Sequence, residues 1–486
     1  MTTRSSIGHA RVLGALVLLA VTGCATNPAT GRRQLSLVRE AQEIQIGQQS
    51  DPAVSAQMGG TYGDSALQRY VRDIGLRLAA STERPNLPWS VKLLDDDLVN
   101  AFALPGGFVY ITRGILGYMN SEAELASVLG HEIGHVTARH SAAQMTRAQL
   151  GQLGLGLGMI LSKTVARYGE LVGTGMQLLF LKYGRDDERQ ADELGFRYMT
   201  GLKYDPKGMS DVMRMLNSTS PADNGGLPSW LSTHPDPGDR VATNEQRIAQ
   251  ANTGFSAYTL NRDPFLQHLN GMVFGADPRN GYFLGTRFLQ PELRIDLTFP
   301  AGWATQNGAQ AVQAMSPAKD AAMQLGFADA TSAAEALSKF ASTQGVTIVG
   351  SSSQALNGLP ARRVEFDMQS QSGTIHGLLL YIEQGGNVYE VVGYTPTASW
   401  SANAATLGQA LASFRTLTDA RYLDVVPNRI QIVRLPAAMT LEQFVQRYPS
   451  TVAADQIGLI NQVAAGERLP HGRLMKRVTG GRVPTQ

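Results

Sequence analysis

The sequence predicts an α+β protein in three parts: a mainly helical domain with a small strand hairpin, a separate α+β domain, and a small βααβ module. Apolar residues recur at helical spacing in the first half of the chain, whereas strand-like runs dominate the second half. Between them the composition shifts to Asn, Thr, Gly and Pro, which indicates a linker. The length of 486 residues also favours about three domains, and 43% hydrophobic residues suffice to bury their cores.

These patterns place the domain boundaries. We expect a signal peptide at residues 1–23, the mainly helical domain at 24–255, the linker at 256–285, the α+β domain at 286–420 and the βααβ module at 425–480.

The charge balance excludes one class of partner. The chain carries 42 basic and 40 acidic side chains, which leaves a net charge of +2. Such a balance provides no broad positive field for nucleic acid phosphates or an acidic membrane surface. We therefore expect no nucleic acid partner, and any binding must depend on local chemistry.

The amino terminus has the pattern of an export signal. The apolar run from Val12 to Val21 is too short to cross a bilayer of about 30 Å as a helix. It leads into VTGC, which resembles the lipobox of bacterial lipoproteins, and Cys24 is the only cysteine in the chain. The resemblance implies lipidation of Cys24. Because Ala25 follows the cysteine, we expect a periplasmic protein that is anchored to the outer membrane. A cleaved secretory signal with an incidental cysteine is the alternative.

Helices and a hairpin are predicted next. Apolar residues at helical spacing predict helices from about residue 39 to 49 and from 65 to 80. The period then changes to two, which predicts strands at 89–96 and 108–114. The intervening AFALPGG, with its Pro and two Gly, is typical of a turn.

Two further helices carry the polar motifs. Ser121 and Glu124 form a capping box that opens a helix containing HEIGH, residues 131–135. A second helix is predicted through RDDERQADELGFRYMTGL and ends near Gly201. Residues 150–183 between them are rich in Gly and Leu, which indicates a helical hairpin that covers the core. A flap that dips into the membrane is the alternative.

The HEIGH helix predicts a metal site. Residues four apart lie on one face of a helix, so His131 and His135 can direct ring nitrogens at one ion, with Glu132 beside them. A catalytic zinc needs three protein ligands and an open position for water, so a third ligand must come from another element. The RDDERQAD segment offers Glu188 and Asp192, again four residues apart.

These motifs, with NAFALPGG and NPATGRRQLSLV upstream, resemble the HtpX and CAAX-protease type of zinc metallopeptidase, in its periplasmic BepA-like lipoprotein branch. The resemblance covers roughly residues 27–250 and implies a zincin-type fold that binds one zinc ion. It implies that His131, His135 and Glu188 are the ligands. Glu132 would be the general base, and Asp192 would orient a ligating histidine.

The same resemblance assigns two further roles. The strand FVYIT, if it is an open edge, would hold an extended substrate through Phe108, Val109 and Tyr110. In this branch a histidine followed by proline approaches the zinc, and STHPDPGDR places His234 there. His234 would serve as a fourth ligand that closes a resting site or as a donor to the oxyanion. A histidine that caps a turn is the alternative.

The second half of the chain contains no motif that indicates catalysis. It predicts an α+β domain in which His376, at the head of a strand and without an evident partner, is a surface residue. The predicted strands are residues 293–299, 361–368, 376–384 and 387–394, and the helices are 332–341 and 405–414.

The last segment resembles a degenerate LysM module. Its predicted order is strand, helix, helix, strand, and the matches include Thr440, Phe444, Leu469 and Gly472. LysM modules bind peptidoglycan glycans, but Ala438-Met439 stands where Gly-Asp is usual. Peptidoglycan is therefore an optional partner.

The sequence thus favours a zinc-dependent metalloendopeptidase for periplasmic protein quality control, with unfolded or misassembled envelope proteins as substrates. A non-hydrolytic chaperone or assembly factor for outer-membrane proteins is the alternative, and a wall-binding factor is a third hypothesis. Glu132 distinguishes the first two, because a structural zinc site has no use for a base beside the metal.

Overall fold

The structure is a computed structural model that describes residues 24–154, 182–219, 230–234, 237–251, 254–370 and 373–484. The predicted signal peptide and most of the Gly- and Leu-rich segment at 150–183 lie outside these residues. The chain divides into two compact units. The first runs to Met272 and includes Ile430–Arg477, and the second comprises Val273–Arg429 and Val478–Gln486.

The first unit is mainly helical, as predicted. It opens with a hairpin of β1 (Cys24–Thr26) and β2 (Arg33–Leu35). Its helices up to the metal motif are α1 (Glu40–Gln57), α2 (Ser65–Ala80), α3 (Arg113–Tyr118), α4 (Glu122–Thr137) and α5 (His140–Gly154). Those that follow are α6 (Arg185–Gly201), α7 (Lys207–Ser218), α8 (Trp230–Thr233), α9 (Pro237–Gln250) and α10 (Arg262–His268).

The predicted cap of the HEIGH helix is present. Ser121 Oγ accepts a hydrogen bond from the Glu124 amide at 3.2 Å, so α4 begins at Glu122. The Glu124 carboxylate accepts from the amide of Asn120 at 3.0 Å, one residue before the expected partner. All sixteen residues of α4 are buried, which makes it the central helix of the unit.

The strand FVYIT is not an open edge, so this prediction is wrong. The sheet has the order β3 (Ser90–Leu94), β5 (Phe108–Thr112), β4 (Ala101–Leu104), with β5 parallel to β3 and antiparallel to β4. The segment AFAL, which was expected within the turn, forms β4, and only Pro105-Gly106-Gly107 turns. Phe108, Val109 and Tyr110 are therefore buried and paired on both sides, and cannot offer free backbone groups to a substrate.

The carboxy-terminal segment follows the predicted order of strand, helix, helix, strand. Its helices, α14 (Leu441–Arg447) and α15 (Ala454–Asn461), lie between the paired strands β17 (Arg429–Arg434) and β20 (Leu474–Thr479), and β18 (Met439–Thr440) pairs with β19 (Arg468–Leu469).

This segment packs against the residues that immediately precede the HEIGH helix. The buried Lys476 Nζ donates to the carbonyl oxygens of Gly117 and Met119, both at 2.8 Å, and Asn120 Nδ2 donates to the Ile460 carbonyl at 3.0 Å. Burial lowers the pKa of Lys476 well below its usual value. The resemblance of the carboxy-terminal segment to a LysM module stays a prediction.

The second unit is built on antiparallel sheets. The strands are β6 (Tyr282–Leu284), β7 (Arg287–Gln290), β8 (Ile295–Thr298), β9 (Ala304–Asn307), β10 (Ala311–Met315), β11 (Ala322–Phe327), β12 (Val346–Leu356), β13 (Leu359–Ser370), β14 (Gly373–Gln384), β15 (Asn387–Pro396) and β16 (Arg415–Thr416). The larger sheet has seven strands in the order β12-β13-β14-β15-β11-β10-β9, and the smaller sheet has the order β16-β8-β7-β6. The helices are α11 (Ala333–Ala341), α12 (Trp400–Ala412) and α13 (Ala420–Leu423), which agrees with the predicted α+β class.

Candidate metal centre

Small residues bring the two motif helices together. An added Cβ at Gly130 or Gly195 would lie 3.0 to 3.3 Å from backbone atoms of the opposite helix, and one at Gly134 would lie 3.0 Å from the Ala191 carbonyl oxygen. Because these positions lack bulk, α4 and α6 approach closely enough for side chains on both helices to meet. The close approach places Glu188 opposite the HEIGH histidines.

Four side chains converge on one point. Ligand atoms of His131, His135, Glu188 and His234 all lie within 4.8 Å of one another, and each residue is at most 2% exposed. His131 Nε2 lies 3.0 Å from His135 Nε2 and 3.2 Å from His234 Nδ1. Glu188 Oε1 lies 2.9 Å from His234 Nδ1 and 3.5 Å from His135 Nε2. Three nitrogens and a carboxylate at these separations are a ligand set typical of zinc.

The protonation of His131 agrees with a bound cation. Its Nδ1 lies 3.0 Å from Asp192 Oδ1, and a carboxylate can only accept, so Nδ1 carries the proton and Nε2 presents a lone pair. That lone pair faces another ring nitrogen and the Glu188 carboxylate, and all three side chains are buried. Burial lowers the pKa of His131 to about 3, which keeps the ring neutral. A divalent cation would satisfy this arrangement of acceptors.

Glu132 lies beside the cluster and is fully buried. Its Oε1 lies 3.4 Å from Trp230 Nε1, which donates to it, and 3.6 Å from His234 Nε2. Burial raises the pKa of Glu132 to about 7. A carboxylate with a pKa near neutrality suits a general base that accepts a proton and later releases it.

A buried cation supports the carboxylates. Arg240 donates through Nη2 and Nε to the two oxygens of Asp192, at 2.7 and 2.8 Å, and its Nη1 lies 2.9 Å from Glu188 Oε2. Burial raises the pKa of Asp192, but Arg240 and His131 outweigh this effect and hold the pKa at about 2. Asp192 therefore stays charged and keeps its hydrogen bond to His131, the contact that was expected of it.

Sequence reasoning missed several contributors. Arg240 lies in the same STHPDPGDR segment as His234, but its partners belong to a distant helix. His140 is five residues after His135, a spacing that on a continuous helix directs the two side chains to different faces. It is buried, and its Nδ1 lies 2.8 Å from His135 Nδ1. The helix ends at Thr137 and Arg139 has a φ of 61°, so helical geometry no longer determines where His140 points.

The structure does not bring the predicted substrate-binding residues Phe108, Val109 and Tyr110 to the metal centre. Phe108 and Tyr110 pack in an apolar cluster with Val54 and Met58, and the Tyr110 hydroxyl donates to Asp51 at 2.7 Å.

The geometry defines the class of site: the first unit carries a buried HExxH motif whose histidines converge with Glu188 and His234 into a ligand set that suits zinc, the arrangement typical of metallopeptidases. Comparison with known families gives one match. Residues 65–248 match the model of peptidase family M48.

Several relatives match part of the chain. The β-barrel assembly-enhancing protease of Yersinia pestis is 33% identical over 196 residues, which are 38% of this chain and 40% of the relative. Its namesake from Escherichia coli K12 is 30% identical over 237 residues, which are 46% of this chain and 47% of the relative. Mitochondrial metalloendopeptidase OMA1 of Arabidopsis thaliana is 33% identical over 187 residues, or 38% and 36% of the two chains.

The chain thus spans less than half the length of these relatives. Among solved structures, cyanobacterial PsbP from Synechocystis covers 28% of this chain and 95% of its own, at 12% identity and a TM-score of 0.23. A likeness this low supports no functional argument.

Proposed function

We propose that the chain is a zinc-dependent metalloendopeptidase that cleaves misfolded or unassembled proteins of the bacterial envelope. The observation that supports the reaction is the convergence of four buried ligand atoms with Glu132 beside them. The names of the relatives, a β-barrel assembly-enhancing protease among them, favour envelope proteins as substrates.

The residues of the centre suit peptide hydrolysis. Zinc, when bound, supplies a Lewis acid that acidifies water and polarises a carbonyl group. Glu132 accepts the proton of the attacking water at its carboxylate and donates it to the leaving amine. Trp230 holds one oxygen of Glu132 in place, and the burial of both residues excludes bulk water. Since β5 is paired on both sides, an extended substrate would pair with an outer strand of this sheet, and β4 is the outer strand that packs against α4.

Casein cleavage tests the reaction. We expect the purified chain to degrade casein, a chelator to abolish the activity and added zinc to restore it. The non-hydrolytic chaperone remains the alternative, and it is favoured if zinc-loaded protein prevents aggregation of an unfolded outer-membrane protein but leaves casein intact.

His234 closes the centre in this proposal. Its Nδ1 faces His131 and Glu188 at 3.2 and 2.9 Å, and its ring stacks on Trp230 with centroids 4.7 Å apart. A fourth protein ligand would occupy the position that the catalytic water needs, which favours the resting-state plug over the oxyanion donor. We expect His234→Ala to retain zinc and to raise basal casein cleavage or self-cleavage. A fall in cleavage with zinc retained would favour the oxyanion role instead.

We place the protein in the periplasm, anchored to the outer membrane through a lipid on Cys24. The lipobox supports this proposal, and multiple acyl chains give stable anchoring. No helix within the described ranges has the length and apolar character to cross a bilayer. We expect Cys24→Ser to release the protein from membranes with its peptidase activity intact. Continued sedimentation of an unlipidated Cys24→Ser chain with outer membranes would contradict the anchor.

The carboxy-terminal segment is a proposed peptidoglycan contact only through its LysM likeness. A pull-down with purified peptidoglycan, comparing chains with and without residues 425–486, tests it. Equal retention of both chains would remove this role.

A further inference from the structure

A hydrogen-bonded path leads from the NPATG turn, just after Cys24, to the metal centre. We propose that Asn27, Gln190 and His140 are positioning residues that fix which nitrogen of His135 is free to bind zinc. The peptidase mechanism above does not use any of the three.

Backbone groups fix the orientation of the Asn27 amide. Its Oδ1 accepts from the amides of Ala29 and Thr30 at 3.0 and 3.3 Å, and its Nδ2 donates to the Ala138 carbonyl oxygen at 3.0 Å. A backbone N–H can only donate and a carbonyl can only accept, so the oxygen and nitrogen of Asn27 cannot exchange places. Asn27 is 4% exposed, which leaves little room for water to substitute.

The orientation passes to Gln190 and then to His140. Asn27 Nδ2 also donates to Gln190 Oε1 at 3.3 Å, and the same oxygen lies 2.8 Å from His140 Nε2. Because the Gln190 oxygen can only accept, the proton of neutral His140 resides on Nε2. His140 Nδ1 is therefore a bare acceptor.

His140 in turn determines the state of His135. The two Nδ1 atoms are 2.8 Å apart, and since that of His140 accepts, that of His135 must donate. The proton of His135 then resides on Nδ1, and its Nε2 presents a lone pair to His131, Glu188 and the ion. Both His135 and His140 are at most 3% exposed. The neutral path thus does for His135 what the Asp192 carboxylate does for His131.

Zinc affinity tests the path without requiring activity. The zinc dissociation constant of the full chain, purified in detergent, would be measured by competition with a fluorescent zinc chelator. We expect Gln190→Leu and His140→Phe to weaken zinc binding about 10- to 100-fold, because partners of metal-ligating histidines have effects of this size. Gln190→Glu keeps an acceptor for His140 and should stay within about threefold of the unchanged chain.

Thr137→Val is the matched control. Thr137 is fully buried on the same helix and contacts the Tyr198 hydroxyl at 2.9 Å, but it lies outside the path. The Thr137→Val chain should bind zinc with an affinity within about threefold of that of the unchanged chain. The proposal is overturned if Gln190→Leu binds zinc as tightly as the unchanged chain, or if Gln190→Glu or Thr137→Val loses as much affinity as Gln190→Leu.

The tautomer itself can be observed. In the metal-free chain, nitrogen-15 NMR of labelled histidines should show the proton of His135 on Nδ1, and a mixture of tautomers in His140→Phe. A His135 tautomer that does not change in His140→Phe would also overturn the proposal. The affinity measurement needs zinc binding but not hydrolysis, and the NMR measurement needs neither, so both tests stand even if the chain fails to cleave casein.

Discussion

The metal centre and the sheet of the second unit each place a histidine between two carboxylates. His131 contacts Asp192 at 3.0 Å and Glu188 at 3.6 Å, and His376 contacts Asp367 at 2.7 Å and Glu365 at 3.1 Å. The side chains of the first trio are at most 6% exposed. In the second, His376 is 12% exposed and its carboxylates 37% and 40%.

The difference shows that residue types alone do not make a metal site. Asp367 and Glu365 occupy opposite ring nitrogens of His376, so no lone pairs converge there. At the metal centre only Nδ1 of His131 faces its supporting carboxylate, and Nε2 points at three other ligand atoms. The expectation that His376 lacks a partner is wrong, because Asp367 pairs with it across β13 and β14.

Removal of Arg240 should break the metal centre most severely. Arg240→Leu leaves the buried carboxylates of Asp192 and Glu188 without their cation, so we expect the free energy of unfolding of metal-free protein to fall by about 3–5 kcal/mol. Urea denaturation measures it. The control is Arg214→Leu, since Arg214 pairs with Asp211 and Glu245 while 48% exposed and should cost at most about 1 kcal/mol. Equal losses in the two variants would contradict the distinction between buried and exposed pairs.

A smaller effect is expected for Asp192→Asn. The amide keeps the shape of the carboxylate but loses the charge that pairs with Arg240. Unlike a carboxylate, it can also turn an NH2 group toward His131 and so no longer fixes the proton on Nδ1. We expect zinc affinity to fall about 10- to 100-fold. Chelator competition measures it, and Asp367→Asn in the sheet serves as the matched change beside His376. Unchanged zinc binding in Asp192→Asn would remove the positioning role of Asp192.

What the sequence predicted follows from local periodicity. His131, His135, Glu188 and Asp192 occur in pairs four residues apart, so each pair shares a helix face before any tertiary structure is known. Helix α2 was predicted with its observed ends for the same reason.

What the sequence did not predict depends on the ends of elements and on distant contacts. His140 follows a helix end at which Arg139 takes a positive φ, and local spacing does not contain that turn. Strand β4 was not predicted, because the turn residues Pro105-Gly106-Gly107 dominate the pattern AFALPGG. Asn27 lies 111 residues from the Ala138 carbonyl that it contacts, so only the folded chain shows their proximity.

The smallest effect is expected for His376→Asn. Its contacts are partly exposed and screened by solvent, so we expect the free energy of unfolding to change by about 1 kcal/mol or less. Zinc content and casein cleavage should not change at all. A loss of zinc in His376→Asn would show that the comparison between the two histidine clusters is wrong.

Casein cleavage by Glu132→Gln, measured beside the zinc content of the same sample, tests the central claim most directly. The amide cannot accept the proton of the attacking water, while His131, His135 and Glu188 are unchanged. We therefore predict one zinc ion per chain and a cleavage rate at least about 100-fold below that of the unchanged protein. Near-normal cleavage by the zinc-loaded variant would contradict the assignment of Glu132 as the general base.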